Sequence, residues 1–259
     1  MRCERELALE WITVLVLAVI FFATVIRSAF GFGEALIAVP LLALVLPVEI
    51  AAPLAVLVSI TVAVVIIAQD WQKIHVRSAS WLVLSTLVGI PFGLWVLTTV
   101  SEAVVKIMLG VIIIIFSAYC LASRAPFELK NDKLAWLFGF LAGVLGGAYG
   151  MNGPPLVIYG TLRRWSPEHF RATLQGYFLP ASLIGMAGYW LAGLWVAEVT
   201  NYFLVSLPAA LVAIFVGRII HHRLKDRRFL VYVHVGLIAV GATLLVQAIW
   251  RQIEAALAS

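Results

Sequence analysis

The sequence predicts an all-α polytopic membrane protein made of two inverted repeats. Each repeat is a glycine-broken helical hairpin followed by three transmembrane helices, about eight membrane-spanning elements in all. Three observations predict this. The 259 residues are 63% hydrophobic and 12% charged, with a mean hydropathy of +1.06, whereas a soluble domain carries about a quarter charged residues. Apolar runs recur to the end of the chain, which a single cleavable leader does not explain. Two glycine-bearing stretches, AFGFGEALIAVP at 29–40 and AYGMNGPPLVIY at 148–159, echo one another.

Taken in order, the apolar segments are 9–28, 33–47, 50–69, 79–99 and 104–122, then 134–149, 153–162, 172–194, 200–217 and 230–250. They read as helices because backbone groups in a bilayer must pair within the segment, and no β-barrel alternation is visible. The polar punctuation is QDWQKIHVR (69–77), SRAPFELKNDK (123–133), LRRWSPEHFR (162–171) and RIIHHRLKDRR (218–228). The second of these lies near the midpoint. It divides one integral membrane domain, 1–259, into repeat 1 (about 9–122), a linker (123–133) and repeat 2 (about 134–250).

A shift of 119 residues carries Gly31 onto Gly150, Phe30 onto Tyr149, Glu49 onto Glu168 and Trp71 onto Trp190. Charge decides the relative orientation. The loop with Lys73 and Arg77 corresponds to LAGLWVAEV in the second copy, which has no basic residue. The loop TTVSEAVVK holds only Lys106, and its counterpart RIIHHRLKDRR holds five basic residues. Equivalent loops have exchanged their positive charge, as copies facing opposite ways require. With both hairpins entering and leaving on one side, 13 basic residues collect inside against 4 outside, Arg2, Arg5, Lys106 and Arg251. This places the chain in the cell membrane as a multi-pass protein with both termini outside.

The breaks are the candidate site. Gly31 and Gly33, and then Gly150 and Gly153, let the backbone unwind, which is tolerated at membrane depth only where protein or a wet cavity covers it. The helix that restarts offers its first N–H groups and its positive dipole end. Asn152 suits an N-cap, and Pro154 or Pro155 suits the first turn. Glu34 falls in the first turn of the other restart. Two inverted copies would bring both starts together as an anion site; the alternative is that the glycines only kink or pack. Gly139, Gly143 and Gly147 recur every four residues and read as packing surface.

Arg27 precedes the first break and pairs either with an anion or with Glu34. Tyr149 flanks the second break with Asn152. Thr173 and Gln175, near the start of their helix, offer donors towards a cavity, with interhelical hydrogen bonding as the alternative.

The stretches GFGEALIAVPLLALVLP, followed by an Ala-rich helix, and GGAYGMNGPPLVIYG, followed by SPEHFRATLQG, resemble the TauE/SafE family of sulfite and organosulfonate permeases. The resemblance covers nearly the whole chain. It implies a permease for small sulfur-containing or carboxylate anions, often an exporter. Gly31, Gly33 and Pro40 match the family's first break. Glu34 stands where a glycine is usual, and an acid beside an anion path points to proton coupling.

The partners implied are therefore a small anionic substrate, protons and membrane lipid. The reading that follows is a secondary transporter (permease) of small anions, either sulfite, organosulfonates or small carboxylates. An anion channel and a non-transporting receptor or assembly subunit are the alternatives, and concentrative flux separates them. No cofactor or metal is expected. His221 and His222 lie in a basic stretch without a third ligand, and Cys3 and Cys120 show neither CxxC nor metal spacing. The net charge of +5 is accounted for by cytoplasmic loops. There is no basic stripe with interleaved aromatics, so nucleic acid is excluded as a partner. An enzyme is not expected, since GxSxG and HExxH are absent. His234 reads as a bundle residue. Trp11, Trp81, Trp95, Trp136, Trp165, Trp195 and Trp250 read as interface anchors.

Overall fold

Apolar runs bounded by polar loops become helices here because a helix pairs its own backbone groups and leaves only side chains to meet lipid. The computed structural model describes residues 2–70, 76–122, 128–129, 133–223 and 227–257. Among these there are ten helices and no strand. The first half contains α1 (Arg2–Phe30), α2 (Glu34–Leu42), α3 (Val48–Asp70), α4 (Val76–Thr99) and α5 (Glu102–Ala122). The second contains α6 (Ala135–Tyr149), α7 (Gly153–Leu162), α8 (Pro167–Leu191), α9 (Ala197–Arg223) and α10 (Arg227–Leu257). The starts of α2 and α3, Glu34 and Val48, each lie 119 residues before those of α7 and α8, Gly153 and Pro167.

Six helices are long and apolar enough to cross a membrane: α1, α3, α4, α5, α9 and α10. With 25 residues, α8 is also long, but Glu168, His169 and Arg171 dilute its first turns. The 21-residue span Glu10–Phe30 of α1 can cross a core of about 30 Å, whereas the 15 residues of α6 rise only about 22 Å. The 9 residues of α2 and 10 of α7 make half-length helices of about 15 Å or less.

Some sequence expectations shift. The segment 33–47 is helical only to Leu42 and then turns through 43–45, and Pro47 ahead of α3 disfavours the helical region at Leu46. The 218–228 stretch is not one loop: α9 continues to Arg223, and α10 starts at Arg227. Lys106 sits inside α5, not in a loop, and its Nζ lies 2.8 Å from Glu102 one turn earlier. Most of the linker 123–133 lies outside the described residues. Its Leu129 N–H donates to the Leu162 carbonyl at 2.9 Å, and Arg163 Nη1 donates to the Leu129 carbonyl at 2.8 Å.

The most enclosed of the candidate spans is α3, with Ala51–Ser59 buried throughout; α8, α9 and α2 pack around it. Pairing alternates between the halves. α1 lies on α9 and α6 on α4, while α3 meets α8 and α5 meets α10. The α4–α6 contact is made by glycines. A Cβ on Gly143 would lie 2.5 Å from the Thr86 carbonyl oxygen and 2.9 Å from Gly89 Cα, and one on Gly93 would lie 2.9 Å from Gly147 Cα. Residue numbers rise together along this seam, so α4 and α6 run parallel. Small residues let the two backbones touch where no hydrophobic driving force separates lipid from protein. The outward face of α4 carries Trp81, Leu84, Val88, Phe92 and Trp95, all exposed, as a lipid-facing surface should. Of the expected anchors, Trp165 is only half-exposed and packs edge-on against Tyr159 with centroids 5.4 Å apart.

Candidate functional site

Both hairpins break where glycine permits what other residues resist. Gly31 and Gly33 adopt φ of 87° and 101°, and Gly150 adopts 66°, the left-handed region that a Cβ disfavours. Gly31 N–H donates to the Arg27 carbonyl at 2.6 Å. Gly150 caps α6 with its N–H on the Gly146 carbonyl at 2.8 Å, and the Tyr189 hydroxyl donates to that same carbonyl at 2.8 Å. The carbonyls exposed by unwinding are thus covered by protein.

A cavity lies between the breaks, enclosing about 430 Å³ of empty space with its open mouth counted. Its wall includes Gly33 and Glu34 from the first break, and Gly150, Asn152 and Gly153 from the second. Residues at both half-helix starts therefore line a common space. Arg27 completes the polar wall from the last turn of α1.

Arg27 is 3% exposed and Glu34 is 2% exposed. Arg27 Nη1 lies 2.6 Å from Glu34 Oε2, and the same nitrogen donates to Ser59 Oγ of α3. Thr24 Oγ1 donates to Glu34 Oε1 at 3.0 Å. The ring of Phe178, on α8, lies 5.1 Å from the guanidinium carbon, a cation–π distance. Ser182 Oγ, also on α8, is 3.5 Å from Ser59 Oγ. Nη1 thus spends both hydrogens, while Arg27 Nε and Nη2 are buried without a hydrogen-bond partner. A buried donor left in this way costs about 1–3 kcal/mol, more for a charged group. Those two nitrogens share the edge of the guanidinium that binds two oxygens of one oxyanion in a two-point fork.

Residues 16–244 match the family described as "Sulfite exporter TauE/SafE". The chain belongs to the TauE/SafE family. A protein of Cupriavidus necator, described as "Probable sulfite/organosulfonate exporter TauE", is 24% identical over 222 residues, covering 84% of this chain and 86% of its own. No solved structure matches. This TauE/SafE protein is a multi-pass membrane protein, and the family's description is that of an exporter rather than an enzyme.

Not every residue singled out from sequence reaches the cavity of this TauE/SafE protein. Tyr149 is buried, but its hydroxyl donates to the Val105 carbonyl of α5 at 3.1 Å, which holds the side chain away from the cavity wall. Thr173 is buried away from the cavity wall with no partner for its hydroxyl; the wall is reached one and two turns later, at Phe178 and Ser182. The side chain of Gln175 lies outside those described. Gly31 shapes the turn without lining the cavity.

Asn152 stands at the N-cap position of α7 but does not cap it. Its backbone is already helical, at φ −78° and ψ −16°, so the side chain does not fold back on the first turn. Its Nδ2 instead donates to the Tyr177 hydroxyl at 3.3 Å. Thr86 Oγ1 lies 2.8 Å from the Gly139 carbonyl, which only accepts, so Thr86 donates there and Tyr177 donates to Thr86 at 2.6 Å. Tyr177 oxygen is left as an acceptor, which fixes which end of the Asn152 amide faces it.

Sequence reasoning missed Ser59, Phe116, Phe178 and Ser182. They are scattered through long apolar helices and carry no local signal. The hydroxyls were the available clue, since a serine inside a span faces protein more often than lipid.

The buried pair generates a stability prediction. Glu34→Leu and Arg27→Met each leave one buried charge unpartnered, and each should destabilise the detergent-purified protein by roughly 3–5 kcal/mol. The double variant should lose less than either single one. Additive losses in a thermal or denaturant double-mutant cycle would contradict a coupled pair.

Proposed function

We propose that this protein is a secondary transporter of small anions, taking sulfite, organosulfonates or small carboxylates out of the cell with protons as the coupling ion. The observation that carries this is the buried Arg27 on a cavity between two broken helices, with Nε and Nη2 unpartnered. A cation that is already desolvated, with a free two-point edge, suits sulfonate, sulfite or carboxylate. The start of α2 adds its first N–H groups and dipole. The start of α7 adds mainly its dipole and the Gly153 N–H, because Pro154 and Pro155 have no N–H to offer. The substrate class follows from the family and from the relative in Cupriavidus necator.

The proposal includes the architecture: one transport domain of two inverted repeats, 9–122 and 134–250, with both termini outside. Several contacts support it. Gly110 of α5 meets Gly241 and Leu245 of α10, and Gly241 in turn meets Ile114. Phe116 packs edge-on against His234, with centroids 5.9 Å apart. Numbers rise on α5 as they fall on α10, so these counterpart helices run antiparallel. Gly217 of α9 packs on Val25, Ser28 and Ala29 of α1, matching the α4–α6 seam with the halves exchanged. Inverted repeats bring broken helices together in this way, and alternating access then comes from rocking one part against the other.

In proteoliposomes with radiolabelled sulfite and the membrane potential clamped, the wild-type protein should accumulate anion against its gradient when a proton gradient is imposed, which a channel does not do. Gly153→Leu places a side chain at the cavity wall, where a Cβ meets nothing within 4 Å, and leaves the ion pair alone. Its flux should fall about tenfold or more, equivalent to about 1.4 kcal/mol, with folded yield unchanged. Normal flux in this variant would put the path elsewhere.

The topology has its own check. A reporter fused after Arg228 should be cytoplasmic and one after Ser259 outside. The reverse pattern would overturn the proposed orientation.

A further inference from the structure

The charge inventory of the cavity is unequal between the halves. Among its described lining residues, Arg27 and Glu34 are the charged ones, and they sum to zero. Shifting by 119 residues carries Thr24, Arg27 and Glu34 onto Gly143, Gly146 and Gly153. The second hairpin therefore has glycine at every position where the first builds its ion pair. The place of a side chain on Gly146 is taken by the Asn152 amide, whose atoms would lie 2.7 Å from a Cβ there. Among the described lining residues, no second cation faces Arg27 across the cavity.

An anion arriving on the Nε–Nη2 edge would then share one guanidinium with the Glu34 carboxylate. The site would carry net negative charge in a desolvated space, where like charges a few ångströms apart repel strongly. Neutrality returns if one proton joins Glu34. We propose that Glu34 and the transported anion compete for Arg27, so that each monoanion crosses together with one proton carried on Glu34. This rests on the transporter reading above and adds its stoichiometry and direction.

The cycle balances. With the site open to one side, Glu34 takes one proton from water at Oε2, the oxygen released from Nη1, while Thr24 keeps its hydrogen bond to Oε1. The anion settles on Arg27, and the neutral assembly turns to the other side. The anion leaves, Glu34 returns its proton to water there, and the carboxylate re-forms its pair with Arg27. Anion and proton travel the same way, so the protein moves net acid. Export therefore runs down the outward anion gradient and is not driven by an inward proton gradient.

Other groups leave this assignment to the pair. Of the charged and titratable side chains on the elements packed around α2, Arg27 on α1 is the one whose charge bears on Glu34. Glu49 on α3 is exposed, and Lys106 on α5 is held by Glu102 at 2.8 Å. Cys120 on α5 is half-buried, Tyr159 on α7 packs among Phe138 and Trp165, and His234 on α10 lies against the Phe116 ring.

The test uses purified full-length protein in proteoliposomes loaded with methanesulfonate and a lumenal pH dye, with the membrane potential clamped by potassium and valinomycin. Methanesulfonate is the probe because it stays a monoanion and carries no proton of its own. As the anion leaves, the lumen should turn alkaline by one proton per anion, at a rate that does not change with the clamp. With Glu34→Gln the anion should leave without a lumenal pH change, at a rate that now follows the clamp. Anion efflux with acidification in the wild-type protein would overturn the proposal and leave the transporter reading standing, and efflux with no lumenal change would overturn proton coupling as well and leave only the anion pathway. Alkalinisation that persists in Glu34→Gln would overturn the role of Glu34. Absence of flux for methanesulfonate, sulfite and acetate alike would overturn both. The wild-type arm decides the coupling whether or not the variant folds.

Discussion

Arg27 and Glu34 meet 2.6 Å apart at the point where α1 stops being a helix, and much of the molecule is arranged around keeping them there. A buried charge is costly unless paired and hydrogen-bonded. The pair answers that cost with four elements at once: Arg27 comes from α1, Glu34 from the first turn of α2, Ser59 from α3 and the Phe178 ring from α8. Glu34 can stand there only because Gly31 and Gly33 reverse the chain within three residues of it, at φ values closed to most side chains. The acid also sits in the first turn of α2, at the positive end of its dipole. The interaction is therefore both a product of the break and the fastener that holds the broken hairpin against the bundle.

The second hairpin solves the same geometric problem without charge. Gly150 reverses the chain, the Tyr189 hydroxyl covers the Gly146 carbonyl, and the Asn152 amide is drawn away into Tyr177 and Thr86. Its glycines Gly139, Gly143 and Gly147 press α6 into α4, backbone to backbone. One hairpin is thus fastened by an ion pair and the other by close packing. In the proposed mechanism this inequality is what leaves a single cation for a single monovalent anion.

The fold was legible in the sequence to the extent that local chemistry sets it. Glycine clusters marked both breaks, and the 119-residue shift aligned the starts of α2 and α7 and of α3 and α8, because backbone freedom and apolar length are properties of short stretches. The site was legible where it sits on the breaks: Arg27, Gly33, Glu34, Gly150, Asn152 and Gly153 all line the cavity. It was not legible where it depends on which face of a long helix turns inward. Ser59 and Phe178 lie on α3 and α8, helices enclosed on more than one side, so periodicity names no inner face. Tyr149 was drawn towards the site by nearness to the break and Thr173 by its place near a helix start, and packing directs them elsewhere. Asn152 had the right residue type for a cap, but a stronger tertiary partner takes its amide.

The central claim is that the free edge of Arg27 is where the transported anion binds. It is tested most directly by a structure of the protein soaked or co-purified with 2-bromoethanesulfonate, whose bromine gives an anomalous signal. The account predicts sulfonate oxygens within about 3 Å of Arg27 Nε and Nη2, with the signal between Gly33 and Gly153. A bromine peak elsewhere in the bundle, with that edge of Arg27 still unoccupied at saturating ligand, would contradict it.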